Sequence, residues 1–155
     1  MKRYQPKPLP KEPPYVIAHR GISAKASENT LGSFEHAASI SGIDMVELDV
    51  RLSKDEELIV LHDQTLQRTS TGNGLARNYS FDEIRRFDAG SWFHPKFAKQ
   101  HIPTLGEVFQ HLVQTRQFQN HHATGLQHAP PFLDNAENLA HIEMFADVDR
   151  HDLVG

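Results

Sequence analysis

The stretch MVELDVRL, Met45 to Leu52, decides the fold. Its strict alternation puts Val46, Leu48 and Val50 on one face of a strand and Glu47, Asp49 and Arg51 on the other. An apolar face and a charged face on one strand require a core on one side and something polar on the other. Upstream, VIAHRG (Val16 to Gly21) predicts a strand over Tyr15 to Ala18 that runs out into an imidazole, a guanidinium and a glycine. Burial accounts for the apolar residues, but His19 and Arg20 need solvent or a partner. Downstream, LIVL (Leu58 to Leu61) reads as a strand buried on both faces that stops at His62 and Asp63. Between the first two strands, Leu31, Phe34, Ala38 and Ser41 share a helical face, with a cap at Asn29 or Thr30 and a stop at Gly42. Two capping boxes follow, SFDE (Ser80 to Glu83) and TLGE (Thr104 to Glu107). The second opens a helix with Leu105, Val108, Phe109, Leu112 and Val113 at helical spacing.

Alternating β and α elements predict an α/β fold, in which the strand ends on one side of a parallel sheet carry the chemistry. His19 with Arg20, Glu47 with Asp49, and His62 with Asp63 are then expected to meet in one cleft. Two carboxylates two residues apart on a strand face suit a hard divalent cation such as Mg2+ or Ca2+. Arg20 presents a planar fork to a phosphoryl oxygen, and two histidines supply a general base and a general acid. Taken singly, each histidine is more often a hydrogen-bonded structural residue, and Glu47 and Asp49 read equally well as a solvated face paired with Arg51. The coincidence of three strand ends favours a site, and its inventory fits phosphodiester cleavage.

Composition narrows the setting. The 155 residues, 38% of them hydrophobic, are enough for one globular domain. A net charge of −4 offers no basic surface for nucleic acid or an anionic membrane. There is no cysteine, hence no disulfide framework, and no apolar run long enough for stable membrane insertion. Residues 1–14 are basic and Pro-rich without the apolar core of a secretory signal, so they read as an extended arm, and a cytoplasmic location is expected. The histidines His111, His121, His122, His128, His141 and His151 lack metal-ligand spacing and read as a solvated polar segment.

The motifs as a set resemble the glycerophosphodiester phosphodiesterase family. They are HRG (His19 to Gly21), ENT (Glu28 to Thr30), ELDVRL (Glu47 to Leu52) and LHD (Leu61 to Asp63), then LQRT (Leu66 to Thr69) and GNG (Gly72 to Gly74). DAGSWF (Asp88 to Phe93) and IPTLGEV (Ile102 to Val108) complete the series. The resemblance implies a TIM barrel and metal-dependent hydrolysis of small-molecule glycerophosphodiesters to an alcohol and glycerol 3-phosphate. The substrate's own glycerol hydroxyl would attack phosphorus to give a cyclic phosphate that water opens. It further implies that His19 and His62 are the acid/base pair, Arg20 a phosphate ligand, Glu47 and Asp49 ligands of Ca2+ or Mg2+, and Asn29 a supporting residue with Glu28 close by. Gly72 and Gly74 read as turn residues needing permissive φ, and Trp92 and Phe93 as packing under an inserted loop.

Two departures stand out. Ser27 occupies the position before Glu-Asn-Thr where the family usually has Pro. After the helix opening at Thr104, the family continues into a strand of the form Ile-Glu-Ile-Lys, whereas this chain gives FQNHHATGLQHAPP (Phe118 to Pro131). The later echo HIEMF (His141 to Phe145) makes Glu143 the candidate third metal ligand, with Phe145 where the Lys should be. The same region reads as a helix through Leu133, Ala136, Leu139 and Ala140. Since a TIM barrel takes about 250 residues, an incomplete barrel is expected: residues 15–112 form the N-terminal half and residues 113–155 a divergent or truncated tail. Its exposed strand edges would favour self-association. The alternative is a catalytically inactive, truncated remnant of that family that at most binds metal or phosphate.

Overall fold

The computed structural model describes residues 14–124 and 144–148. In chain order the elements are β1 (Ile17–His19), α1 (Leu31–Ser39), β2 (Met45–Leu52), β3 (Leu58–Val60), α2 (Phe81–Ile84), α3 (Leu105–Thr124) and β4 (Met144–Val148). The central strand β2 matches the predicted bounds residue for residue. The first strand starts two residues later than predicted and ends one later, so that His19 lies inside it, in register with Glu47 of the parallel β2. The β4 strand also runs parallel to β2, placing Glu47 beside Phe145 and Asp49 beside Asp147. Glu143 and the helix predicted through Leu133 to Ala140 lie outside the described residues. Among the described residues β1 pairs with β2 alone.

The apolar face of β2 builds the main core. Val46, Leu48 and Val50 pack with Ala18, with Phe34 and Ala37 of α1, and with Val108 and Leu112 of α3. Thr30 caps α1, its hydroxyl accepting from the Ser33 N–H. Both predicted capping boxes form, with Glu83 reaching back to Ser80 and Glu107 to Thr104. Phe109, expected on the buried face of α3, is instead exposed, because Val108 and Leu112 take the core-facing positions.

The β3 strand corrects the expectation of a wholly parallel arrangement: it returns antiparallel to β2 as a hairpin, with Val60 opposite Val50. Burial on both of its faces begins at Ile59, since Leu58 is 39% exposed. Ile59 and Leu61 turn into a second core with Leu66, Ala76, Ile84 and Ile102, beneath the long segment that follows. Asp88 staples that segment by accepting hydrogen bonds from the backbone of Lys99, Ser91 and Gly90. These bonds, opposed only weakly by desolvation, hold its carboxyl well below the usual carboxylate range. Of the two glycines read as turn residues, Gly74 does have φ +85°. Gly72 is required for a different reason, close packing: a Cβ there would lie 2.8 Å from the Phe87 ring.

The hairpin turn holds a residue in an unfavourable conformation. The Ser53 N–H donates to the Glu57 carbonyl at 3.0 Å, and Glu56 sits at φ 63°. A side chain in the left-handed region costs about 1–2 kcal/mol relative to glycine. Glu56→Gly is therefore expected to raise unfolding stability by about 1 kcal/mol, read as a higher urea midpoint at unchanged slope; a lower midpoint would contradict this.

Candidate active site

The HRG turn is built by its backbone. Arg20 has φ 53°, an uncommon region for a residue with a side chain. Its N–H donates to Glu47 Oε2 at 3.0 Å, and its carbonyl accepts from the Asn29 N–H at 3.1 Å and the Ser33 hydroxyl at 3.0 Å. With both peptide groups held by other elements, the left-handed conformation is imposed from outside. Gly21 follows at φ +77°, and a Cβ there would lie 2.3 Å from Ser33 Oγ, so only glycine fits against the first turn of α1. Asn29, at φ 57°, faces Arg20 from the loop before α1. Ser27, where the family has Pro, is fully buried and donates its hydroxyl to the Ala89 carbonyl, tying this loop to the DAGSWF segment.

From this turn a continuous chain of polar contacts links β1, β2 and the turn after β3. His19 Nε2 stands 3.8 Å from Glu47 Oε2. The Arg20 guanidinium meets Glu28 at 3.1 Å through NH1, and its Nε lies 3.1 Å from Asp49 Oδ2 without an aligned hydrogen bond. Asn29 Nδ2 donates to the same Asp49 oxygen at 2.9 Å. On the far side of Glu28, Arg68 donates to both its carboxylate oxygens, at 3.1 and 2.8 Å, and to both oxygens of Asp63, at 2.6 and 3.0 Å. Asp63 in turn contacts His62 Nδ1 at 2.6 Å. Arg51, expected beside Glu47 and Asp49, reaches the His62 carbonyl at 3.0 Å. Every predicted site residue among the described ones thus belongs to one network. His62 enters it from the antiparallel β3 hairpin and not, as expected, from a parallel strand end.

Charge pairing sets the protonation states. Arg68's hydrogen bond, against desolvation and with help from His62, lowers the Asp63 carboxyl to about 2. Burial pushes Glu28 up, but hydrogen bonds and charge from Arg68 and Arg20 outweigh it and hold Glu28 below its ordinary value. An ionised Asp63 can only accept, so His62 Nδ1 carries the proton and a neutral ring leaves its Nε2 lone pair for chemistry. Sequence reasoning passed over Arg68; its only trace was its place in LQRT, five residues after Asp63. Trp92 is exposed, meets Phe93 edge-on and donates Nε1–H to the Ala89 carbonyl.

The fit of a divalent cation can be judged from the donors. Asp49 is buried, and Asn29 Oδ1 is buried with no hydrogen-bond partner among the described residues. Glu28, Glu47, Asp49 and Asp63 outnumber the guanidiniums of Arg20, Arg51 and Arg68 that reach the network, which leaves it negative while the histidines are neutral. An unpartnered amide oxygen on the side chain that contacts the Asp49 carboxylate is an oxygen donor suited to a hard cation, although no cluster of three His, Cys, Asp or Glu ligands forms among the described residues.

The partial, unclosed α/β sheet is that of a phosphodiesterase-type TIM barrel, present here as an incomplete barrel. The chain belongs to the glycerophosphoryl diester phosphodiesterase family, whose model matches residues 19–142. It is 48% identical over 95 residues to a glycerophosphodiester phosphodiesterase of Caldanaerobacter subterraneus, covering 61% of this chain and 39% of that one. Among solved structures it resembles a phosphodiesterase of Oleispira antarctica in complex with the product sn-glycerol-3-phosphate, at 43% identity and a TM-score of 0.63, covering 66% of this chain and 41% of that one. A glycerophosphodiester phosphodiesterase of Agrobacterium tumefaciens matches at 39% identity and a TM-score of 0.62, covering 65% and 43%. The chain therefore spans about two fifths of the length of these relatives. Among the described residues no helix is long and apolar enough to cross a membrane.

The Asp63 carboxyl is expected to titrate near pH 2 in carbon-detected NMR. Its folded value lies below the unfolded value near 3.8, so its contribution to stability is complete above 3.8 and is lost as pH falls towards 2. A midpoint at 3.8 in the folded protein would show that the Arg68 contact is absent in solution.

Proposed function

We propose that this chain carries the acid/base and phosphate-binding part of a glycerophosphodiester phosphodiesterase. The observation that supports it most is the unbroken line of contacts from His19 through Glu47, Arg20, Glu28, Arg68 and Asp63 to His62. In this reading Arg20 binds the phosphate. Among the described residues its guanidinium makes one side-chain hydrogen bond, to Glu28, which leaves donors for a phosphoryl oxygen. His62, its tautomer fixed by Asp63, takes the proton of the attacking hydroxyl at Nε2 as the new P–O bond forms. His19, 65% exposed and beside Glu47, gives a proton to the departing alcohol as the old P–O bond breaks.

Glu47, Asp49 and the Asn29 amide oxygen would hold Mg2+ or Ca2+, which when bound neutralises charge on the phosphoryl oxygens. Glu143, which immediately precedes β4 in the sequence, belongs to this reading as the third carboxylate. Residues 15–112 form the working half-domain, and residues 1–14 and 113–155 flank it.

The test is release of glycerol 3-phosphate from glycerophosphocholine with Mg2+ or Ca2+ present, and again with chelator. Turnover is expected to need metal and to fall about 10²-fold or more in His62→Ala and in His19→Ala. A folded chain that binds metal but turns over nothing would leave the remnant reading in its place.

A further inference from the structure

Arg68 is used by neither the metal set nor the acid/base pair, yet it bridges Glu28 and Asp63. A guanidinium has five N–H donors. Arg68 makes four hydrogen bonds to two carboxylates, bidentate to Glu28 and bidentate to Asp63. It therefore has little left for substrate, in contrast to Arg20. Its two carboxylates belong to segments 35 residues apart in sequence, the ENT loop before α1 and the turn after β3. Each then acts on a different reacting group, Glu28 on the Arg20 guanidinium and Asp63 on His62 Nδ1.

We infer that Arg68 is a positioning residue, a clamp that fixes the phosphate-binding Arg20 and the base His62 relative to one another by holding Glu28 and Asp63 on a single guanidinium. The inference rests on the phosphodiesterase reading for what Arg20 and His62 do, while the clamp itself is a property of the free protein. Without Arg68, Glu28 is left with Arg20 as its cationic partner and draws that guanidinium away from an incoming phosphate, and Asp63 is released from the His62 ring. The planar fork is essential to this role. A lysine keeps the charge but, as a compact point donor, cannot engage two carboxylates bidentately.

Arg68→Lys and Arg68→Gln separate the possibilities, with two readouts on the purified full chain. Calorimetric titration with inorganic phosphate is expected to show affinity about tenfold weaker in both variants, and ¹⁵N-histidine NMR to show the His62 Nδ1–H proton resonance of the wild type lost to solvent exchange in both. Arg68→Lys with phosphate affinity within twofold of wild type and the Nδ1–H resonance intact would overturn the clamp in favour of simple charge. Failure of both variants to fold would assign Arg68 a structural role and equally overturn it. A wild-type chain that binds no phosphate would count against the phosphodiesterase reading, while the NMR arm still decides whether the clamp exists.

Discussion

The site depends on one carboxylate held between two guanidiniums. Glu28 is largely buried, and a buried charge is tolerable only when paired and hydrogen-bonded. Arg20 meets it from the β1 turn and Arg68 from the segment after β3, so that Glu28 joins two parts of the chain that the sheet alone would leave independent. On one side the pairing continues through Arg20 to Asp49 and Asn29, and on the other through Asp63 to His62. Removing Glu28 would leave Arg20 and Arg68 without the carboxylate between them and break the tie between these two parts of the chain.

The fold delivers these groups by separating the two faces of β2. Val46, Leu48 and Val50 go into the core with α1 and α3, which leaves Glu47 and Asp49 on the opposite face. Parallel pairing with β1 sets His19 beside Glu47, and the Glu47 carboxylate then captures the next N–H, that of Arg20, turning the chain back towards α1. Gly21 allows that reversal to pass against Ser33. One strand thus supplies core packing, the two carboxylates of the proposed cation site and the turn that holds Arg20.

Much of this was legible in the sequence because it is encoded locally. Alternation in MVELDVRL gave the bounds and faces of β2, and the capping boxes at Ser80 and Thr104 gave the starts of α2 and α3. The direction of β3 was not legible: a short apolar run reads the same whichever way it pairs, and the turn before it carries Glu56 at the left-handed position where a glycine would have announced a hairpin. Arg68 escaped for another reason, since a contact between residues 28, 63 and 68 leaves no periodicity to read. Phe109 fits helical spacing as well as Val108 does, and only the position of the sheet decides which of the two is buried.

The most direct measurement is calorimetric titration of the purified chain with Mg2+ and with Ca2+. One divalent ion per chain is expected in the wild type, with affinity lost in Asp49→Asn while the fold is retained, because the oxygen set around Asp49 and Asn29 is what the cation replaces water to reach. A folded wild-type chain that binds neither ion, or an Asp49→Asn variant that binds as tightly as the wild type, would contradict it.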